Sequence, residues 1–240
     1  MRGSRLRKSD PLQIAKQFVK QYHPNCDMAL LSGSVARGDE TDTSDLDIVI
    51  IDSHLSHPFR KSYLYGHQPI ECFVHNEQSL VQFFQSDCER GRPSLPHMVA
   101  EGLTIIDKGL VQTFKEQANQ LLRQGPRAWT DEEIAAKRYF ITDLLEDFEG
   151  CRTRSEGIFI AGQLADAVHI FILRMNQRWI GSSKWIYKSM ANFDQKVCAD
   201  FVQAFDTYYK RNNKDEVIRF VDQTLLPYGG RYFDGFSIGE

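Results

Sequence analysis

The spacing of apolar residues differs between the two halves of the chain. In the first half, short apolar runs separated by Gly, Asn and Asp indicate β-strands, at residues 28–31, 46–51, 62–64, 69–74 and 103–107. Between them, apolar residues that recur every three or four positions predict amphipathic helices, at residues 11–23, 77–88 and 110–122. Residues 33–45, between the first two strands, are interpreted as a turn and a polar loop. The first half is therefore predicted to be a mixed sheet flanked by helices.

Beyond Gly125-Pro126 the periodicity is helical. Thr130 and Glu133 have the spacing of a capping box at a helix start. The apolar spacing predicts helices at residues 131–149, 157–177, 193–211 and 214–225. Residues 227–236, rich in Gly and aromatic side chains, are expected to pack back on the body or to fray. We predict an α+β protein with a sheet-containing domain at residues 1–125 and a helical bundle domain at residues 126–240.

Composition narrows the possible functions. The net charge of −3 argues against a general nucleic-acid binder, which needs surplus Lys and Arg to neutralise phosphates. The five cysteines form no C-x-x-C pair, which favours reduced thiols in the cytoplasm. The basic segment 1–8 has no apolar core after it, and we expect no run of about 18 apolar residues that would cross a membrane. The protein is therefore expected to be cytoplasmic and not membrane-bound.

Asp45 and Asp47 are the first candidates for chemistry. Side chains alternate between the two faces of a strand, so Asp45 and Asp47 project together while Leu46 faces the core. Two adjacent carboxylates with no base beside them repel each other unless a cation compensates. Magnesium is expected here, since it prefers oxygen ligands and is held by one or two carboxylates plus substrate phosphates.

Glu71 and the Gly33-Ser34 pair complete the candidate site. Glu71 is the single carboxylate in an otherwise apolar strand. If that strand neighbours the strand of Asp47, the three carboxylates can hold two metals about 3.5–4 Å apart. Gly33 permits close approach of the backbone and Ser34 can donate to a phosphate. The loop is not a Walker A motif, because Arg37-Gly38 offers no lysine.

These residues resemble a known family. Gly33-Ser34, Arg37-Gly38 and Ser44-Asp45-x-Asp47 are similar to the signature of the DNA polymerase β-like nucleotidyltransferase superfamily. The whole chain resembles the antibiotic nucleotidyltransferases that adenylylate aminoglycosides or lincosamides. The resemblance implies that a substrate hydroxyl attacks the α-phosphorus of a nucleoside triphosphate, most simply ATP. Gly33, Ser34, Arg37 and Ser44 would bind the nucleotide, Asp45 and Asp47 would bridge both metals, and Glu71 would hold the metal that activates the nucleophile.

The helical half supplies two further candidates. Glu146 resembles the general base that aminoglycoside enzymes take from this domain, although a glutamate at such a position is more often on the exposed face of an amphipathic helix. Lys184 is predicted to reach the β- and γ-phosphates, unless it is a surface lysine beside a serine cap. For Arg37 a salt bridge within the loop is the alternative to nucleotide binding.

The predicted function is magnesium-dependent transfer of AMP from ATP to a hydroxyl of a small molecule, such as an aminoglycoside-like or lincosamide-like antibiotic. Two alternatives stay open. One is nucleotidylation of a protein, as in the short antitoxin-like relatives with a similar Gly-Ser start. The other is a non-catalytic module that binds ATP as a sensor, against which the intact carboxylate trio argues.

Overall fold

The computed structural model describes residues 10–239, so the basic segment 1–8 lies outside the described residues. The chain divides into two compact units, Met1–Gln124 and Gly125–Glu240. The first unit contains a five-stranded sheet and the second is helical. The predicted α+β class, with a mixed sheet followed by a helical region, is confirmed.

The first unit contains five helices and five strands within the described residues. Its elements are α1 (Pro11–Tyr22), β1 (Met28–Ser32), α2 (Gly33–Arg37), β2 (Leu46–Ile51), β3 (Phe59–Tyr65), β4 (Gln68–His75), α3 (Glu77–Glu89), α4 (Ser94–Glu101), β5 (Leu103–Asp107) and α5 (Val111–Gln124). The sheet order is β3-β4-β2-β1-β5. Strands β2 and β4 are parallel, and the other neighbours are antiparallel.

Both faces of this sheet are covered, which explains why its central strands are apolar on both sides. On one face Ile48 and Ile50 pack against Phe18 of α1. On the other face Val49 and Ile51 pack against residues of α3, α4 and α5. Strands buried on two faces carry continuous apolar runs, so β2 reads Leu-Asp-Ile-Val-Ile-Ile with a polar residue only near its start.

Three helices differ from the sequence prediction. Residues Gly33–Arg37, expected to be a turn, form the short helix α2, which ends at Gly38 with a left-handed φ of 71°. The helix α4 was not predicted, because it is short and Pro96 interrupts its apolar pattern. A further helix at Lys184–Phe193 was also missed, and Ser183 at its N-cap position makes no side-chain hydrogen bond to the first turn.

The second unit contains α6 (Asp131–Gly150), α7 (Arg154–Met175), α8 (Lys184–Phe193), α9 (Gln195–Arg211), α10 (Asp215–Leu225) and a 3₁₀ turn (Leu226–Tyr228). Capping boxes start α6 at Thr130 and α7 at Thr153, and the first of them confirms the sequence prediction. Leu164, Val168 and Phe171 of α7 are fully buried in the core of this unit. Helix α7 is therefore its central element.

The apolar sequence of α7 bears on the expectation that no segment could cross a membrane. The helix has an 18-residue window with a mean hydropathy of 1.5, so by length and composition it could cross a membrane. The helix is not the unbroken run of about 18 apolar residues that was expected to be absent, because Gln163, Asp166 and His169 interrupt it. In that window 44% is buried inside the protein, and a helix that packs against neighbours on several sides is apolar for the same reason.

The Gly-rich segment after α10 packs back on α6. The Arg138 side chain donates two hydrogen bonds of 3.0 Å to the carbonyl of Gly230, and the backbone N–H of Tyr232 donates to Oγ1 of Thr142 at 3.0 Å. The rings of Tyr139 and Phe236 stack with their centroids 3.9 Å apart. Of the two alternatives for this segment, packing is the one observed.

Candidate functional site

Three carboxylates meet at the start of β2 and the middle of β4. In the parallel register of these strands Asp47 lies beside Glu71, and Asp45 directly precedes β2. One ligand oxygen from each of Asp45, Asp47 and Glu71 lies within 4.8 Å of the others. The neighbouring strands that the sequence hypothesis required are therefore present. Within residues 10–239, these side chains form the group close enough together to hold a metal ion.

Gly33 lies directly under Asp47. Its φ is +70°, and a Cβ atom added there would lie 2.0 Å from Oδ2 of Asp47. The antiparallel register of β1 and β2 sets this contact, since Ser32 lies opposite Asp47. Both the backbone conformation and the space therefore require glycine at this position.

The hydroxyl of Ser44 joins the polar loop to α2. The Oγ of Ser34 donates to the Oγ of Ser44 at 3.2 Å, and the backbone N–H of Thr41 donates to the same oxygen at 2.9 Å. Ser44 immediately precedes Asp45. These bonds hold the loop so that Asp45 stays next to Asp47, which gives Ser44 a structural task besides any contact with nucleotide.

Arg37 forms ion pairs. Its Nη1 donates to Oε2 of Glu101 at 3.1 Å, and its Nε lies 3.6 Å from Oδ2 of Asp39. The Nδ1 of His97 lies 3.0 Å from the other oxygen of Glu101. The hydrogen bond from His97, followed by that from Arg37, outweighs burial and lowers the pKa of Glu101. The salt bridge raised as an alternative for Arg37 therefore exists, with α4 providing a partner that sequence reasoning missed.

Glu71 also has a partner that the sequence did not reveal. On β3, Arg60 donates from Nε to Oε1 of Glu71 at 2.7 Å and from Nη2 to Oε2 at 2.5 Å. The hydrogen bond from Arg60 is the largest cause that lowers the pKa of Glu71. The strand β3 was predicted only over residues 62–64, so Arg60 lay outside it. The pairing of β3 with β4 was the signal that could have found it.

Comparison with known proteins agrees with this geometry. Residues 12–71, which include Gly33 and all three carboxylates, match the nucleotidyltransferase domain family. The chain carries a nucleotidyltransferase domain. The resemblance to the DNA polymerase β-like superfamily is thereby confirmed. A solved nucleotidyltransferase-like protein from Exiguobacterium sibiricum 255-15 is similar over 90% of this chain and 74% of that chain, with 12% identity and a TM-score of 0.48. No curated protein sequence matches the chain.

The carboxylates of the nucleotidyltransferase domain repel one another. Burial, then the charges of Asp45 and Glu71, raises the pKa of Asp47 to about 6. Arg60 and Arg37 act in the opposite direction without cancelling this shift. An all-oxygen donor set with an excess of negative charge suits a hard divalent cation such as magnesium. The residues therefore fit the divalent metal that this family uses.

The two candidates from the helical half belong to the second unit. Glu146 is exposed on α6, and Lys184 is exposed as the first residue of α8. Neither observation tests a catalytic role, so both assignments stay predictions.

The helical unit contains two neighbouring cavities that share Gly162 and Asp166. The larger, about 640 Å³, lies beside α6 and α7, and the smaller, about 420 Å³, lies beside α7, α8 and α9. The larger cavity is lined mainly by apolar side chains, among them Phe140, Leu144, Phe159 and Ile170, with Lys137 and Asp166 as its charged groups. Both cavities are open to solvent, and their volumes fall within the range of small-molecule sites.

Proposed function

We propose that this nucleotidyltransferase transfers AMP from ATP to a hydroxyl of a small molecule and releases pyrophosphate, with two magnesium ions held by Asp45, Asp47 and Glu71. The observation that carries the proposal is the convergence of three carboxylate oxygens within 4.8 Å in a domain of this family. Nucleotide transfer is the chemistry of the domain, whereas ATP, magnesium and the acceptor are our additions.

The residues around the carboxylates have separate tasks in this proposal. Gly33 lets the backbone approach the phosphates, and Ser34 donates its backbone N–H to them, because its hydroxyl already donates to Ser44. Ser44 keeps Asp45 in place through its bonds to Thr41 and Ser34. When bound, the metal polarises the phosphoryl oxygens and orients the reactants. Arg37 donates a hydrogen bond to Glu101, so in this proposal it fixes the position of α2 and does not contact the phosphates.

The helical unit would bind the acceptor in this proposal. Its larger cavity offers mostly apolar side chains, with Asp166 as its carboxylate. A polycationic aminoglycoside needs many polar partners, because a buried polar group without a hydrogen bond is unfavourable. The lining therefore favours an acceptor with an apolar part beside its hydroxyl, which is closer to a lincosamide than to an aminoglycoside. Glu146 does not line this cavity, so as general base it would meet a hydroxyl that projects out of the cavity. Lys184 would contact the β- and γ-phosphates.

One incubation tests these assignments together. Purified protein, magnesium and each labelled nucleoside triphosphate are combined with a panel of lincosamides, aminoglycosides and cell extract. We expect pyrophosphate release and a mass gain of one AMP on an amphipathic small molecule, with ATP as the preferred donor. Asp45→Asn serves as the inactive control. Label that stays on a protein would instead identify protein nucleotidylation, and tight ATP binding without pyrophosphate would identify the sensor.

A further inference from the structure

Arg60 occupies both oxygens of a proposed metal ligand. Nε and Nη2 of its guanidinium donate to the two oxygens of Glu71 at 2.7 and 2.5 Å, and Ser62 donates to one of the same oxygens at 3.4 Å. The side chain of Glu71 is 16% exposed, so water alone solvates its charge poorly. Glu71 therefore has a cation as its main partner, and that cation is Arg60.

The position of Arg60 allows its guanidinium to separate from Glu71. It lies on β3, the edge strand of the sheet, and its side chain is 63% exposed. Its Cζ lies 4.8 Å from the ring centroid of Phe73, which offers the guanidinium a favourable surface when the carboxylate is taken. A guanidinium that leaves Glu71 is thus rehydrated or stacked, and it is not left buried without a partner.

A metal ion and a guanidinium cannot share these oxygens without strong repulsion. Both carry positive charge, and the bidentate guanidinium already uses one of the two lone pairs on each oxygen. We propose that Arg60 is the resident counter-cation of Glu71 and that a metal binds Glu71 by displacing it. This inference rests on the proposed metal role of the three carboxylates. Arg60 is accordingly a positioning residue, which sets the metal concentration at which Glu71 becomes a ligand.

The inference is tested by titrating the protein with Mn²⁺ in a calorimeter, which needs no substrate or turnover. We expect Arg60→Gln to bind Mn²⁺ about 3- to 10-fold more tightly than the wild type, the factor that a partly exposed bidentate pair contributes. Arg60→Lys keeps the charge and loses the bidentate geometry, so we expect about 2-fold tighter binding. If Arg60 acted only through the long-range effect of its charge, Arg60→Lys would bind Mn²⁺ with the affinity of the wild type. That result would overturn the proposal that the metal displaces Arg60.

Arg90→Gln is the matched control. Arg90 pairs with Asp87 at the end of α3, with exposed fractions of 61% and 9% for the two side chains, close to those of Arg60 and Glu71. Its loss should leave the Mn²⁺ dissociation constant unchanged. In a Glu71→Gln background the effect of Arg60→Gln should vanish, because no ligand remains to be contested.

The two proposals fail in different ways. Equal or weaker Mn²⁺ binding by Arg60→Gln, when the wild type binds the ion, overturns the exchange at Glu71 and leaves the proposed function intact. Absence of Mn²⁺ binding in the wild type and in Arg60→Gln alike overturns the metal assignment itself. Thermal unfolding in EDTA verifies that each variant is folded.

Discussion

The carboxylate of Asp47 keeps its position only because Gly33 has no side chain: a Cβ at Gly33 would lie 2.0 Å from Oδ2 of Asp47. The chain offers a control for this contact. Gly38 has a φ of +71°, nearly that of Gly33, and a Cβ there would meet nothing within 4 Å. The pair separates backbone strain from displacement of the carboxylate.

We expect Gly33→Ala to lower the transfer rate by about 100-fold or more, because a displacement of about 1 Å at a reacting group can have that effect. Gly38→Ala should lose only about 1–2 kcal/mol of stability, the strain of a left-handed alanine, and keep most of its activity. Urea unfolding and initial transfer rates measure the two effects. Equal loss of activity in both variants would mean that strain, and not contact with Asp47, determines the result.

The raised pKa of Asp47 predicts how stability without metal depends on pH. Its value of about 6 lies above the ordinary 3.8, so the folded state holds this proton more tightly than the unfolded state. The stabilisation is fully present below the ordinary pKa and is lost as pH rises through about 6. In EDTA, the melting temperature of Asp47→Asn should therefore rise relative to wild type from about pH 4 to about pH 7.

Metal should control the affinity for nucleotide. We expect ATP to raise the melting temperature much more with magnesium than with EDTA, since a ligand stabilises by RT ln(1 + [L]/Kd) and bare carboxylates repel phosphates. Differential scanning fluorimetry at fixed ATP and varied magnesium measures the shift. A shift that ignores the metal would indicate a site built from Lys and Arg and would favour the sensor.

Lys184→Ala tests the phosphate contact proposed for the second unit. The lysine would meet phosphates that are already charged in the ground state, so its loss should raise the KM for ATP and change kcat less. This holds when chemistry is slower than nucleotide release. Lys210→Ala, an exposed lysine that pairs with Asp206 on α9, is the control. An unchanged KM in Lys184→Ala would remove Lys184 from the site.

Glu146→Gln tests the general base. We expect kcat to fall by about 100-fold or more with the KM for ATP nearly constant, the lower range for such a base. Asp143→Asn, on the same helix and also exposed, should retain activity. Wild-type rates for Glu146→Gln between about pH 6 and about pH 9 would refute this base and leave deprotonation to the carboxylate site.

Local sequence patterns were sufficient to predict a site residue when its role depends on its own strand or turn. The alternation around Asp47 and the lone Glu71 predicted a carboxylate cluster, and the parallel register of β2 and β4 supplies it. Arg60 was missed because its partner lies on the neighbouring strand, so nothing within the sequence of β3 distinguishes it from a surface arginine.

The partner of Arg37 was missed for the same reason. Glu101 lies 64 positions away on a helix whose proline hides its periodicity. Long-range pairs of this kind depend on how elements pack, which hydrophobic periodicity does not encode. For Glu146 and Lys184 the sequence gives exposure and spacing alone, so their roles await the kinetic tests above.

The position of β5 has a consequence for where the chain can be cut. The family match ends at residue 71, yet β1 pairs with β5, and α3, α4 and α5 cover one face of the sheet. A fragment ending at residue 71 would leave Met28, Leu30, Val49 and Ile51 facing water, and an uncovered apolar sheet aggregates. During synthesis the five-stranded sheet cannot be completed until β5, which ends at Asp107, has emerged from the ribosome. A fragment designed to contain the folded nucleotidyltransferase domain should therefore end at Gln124 and not at the boundary of the matched segment.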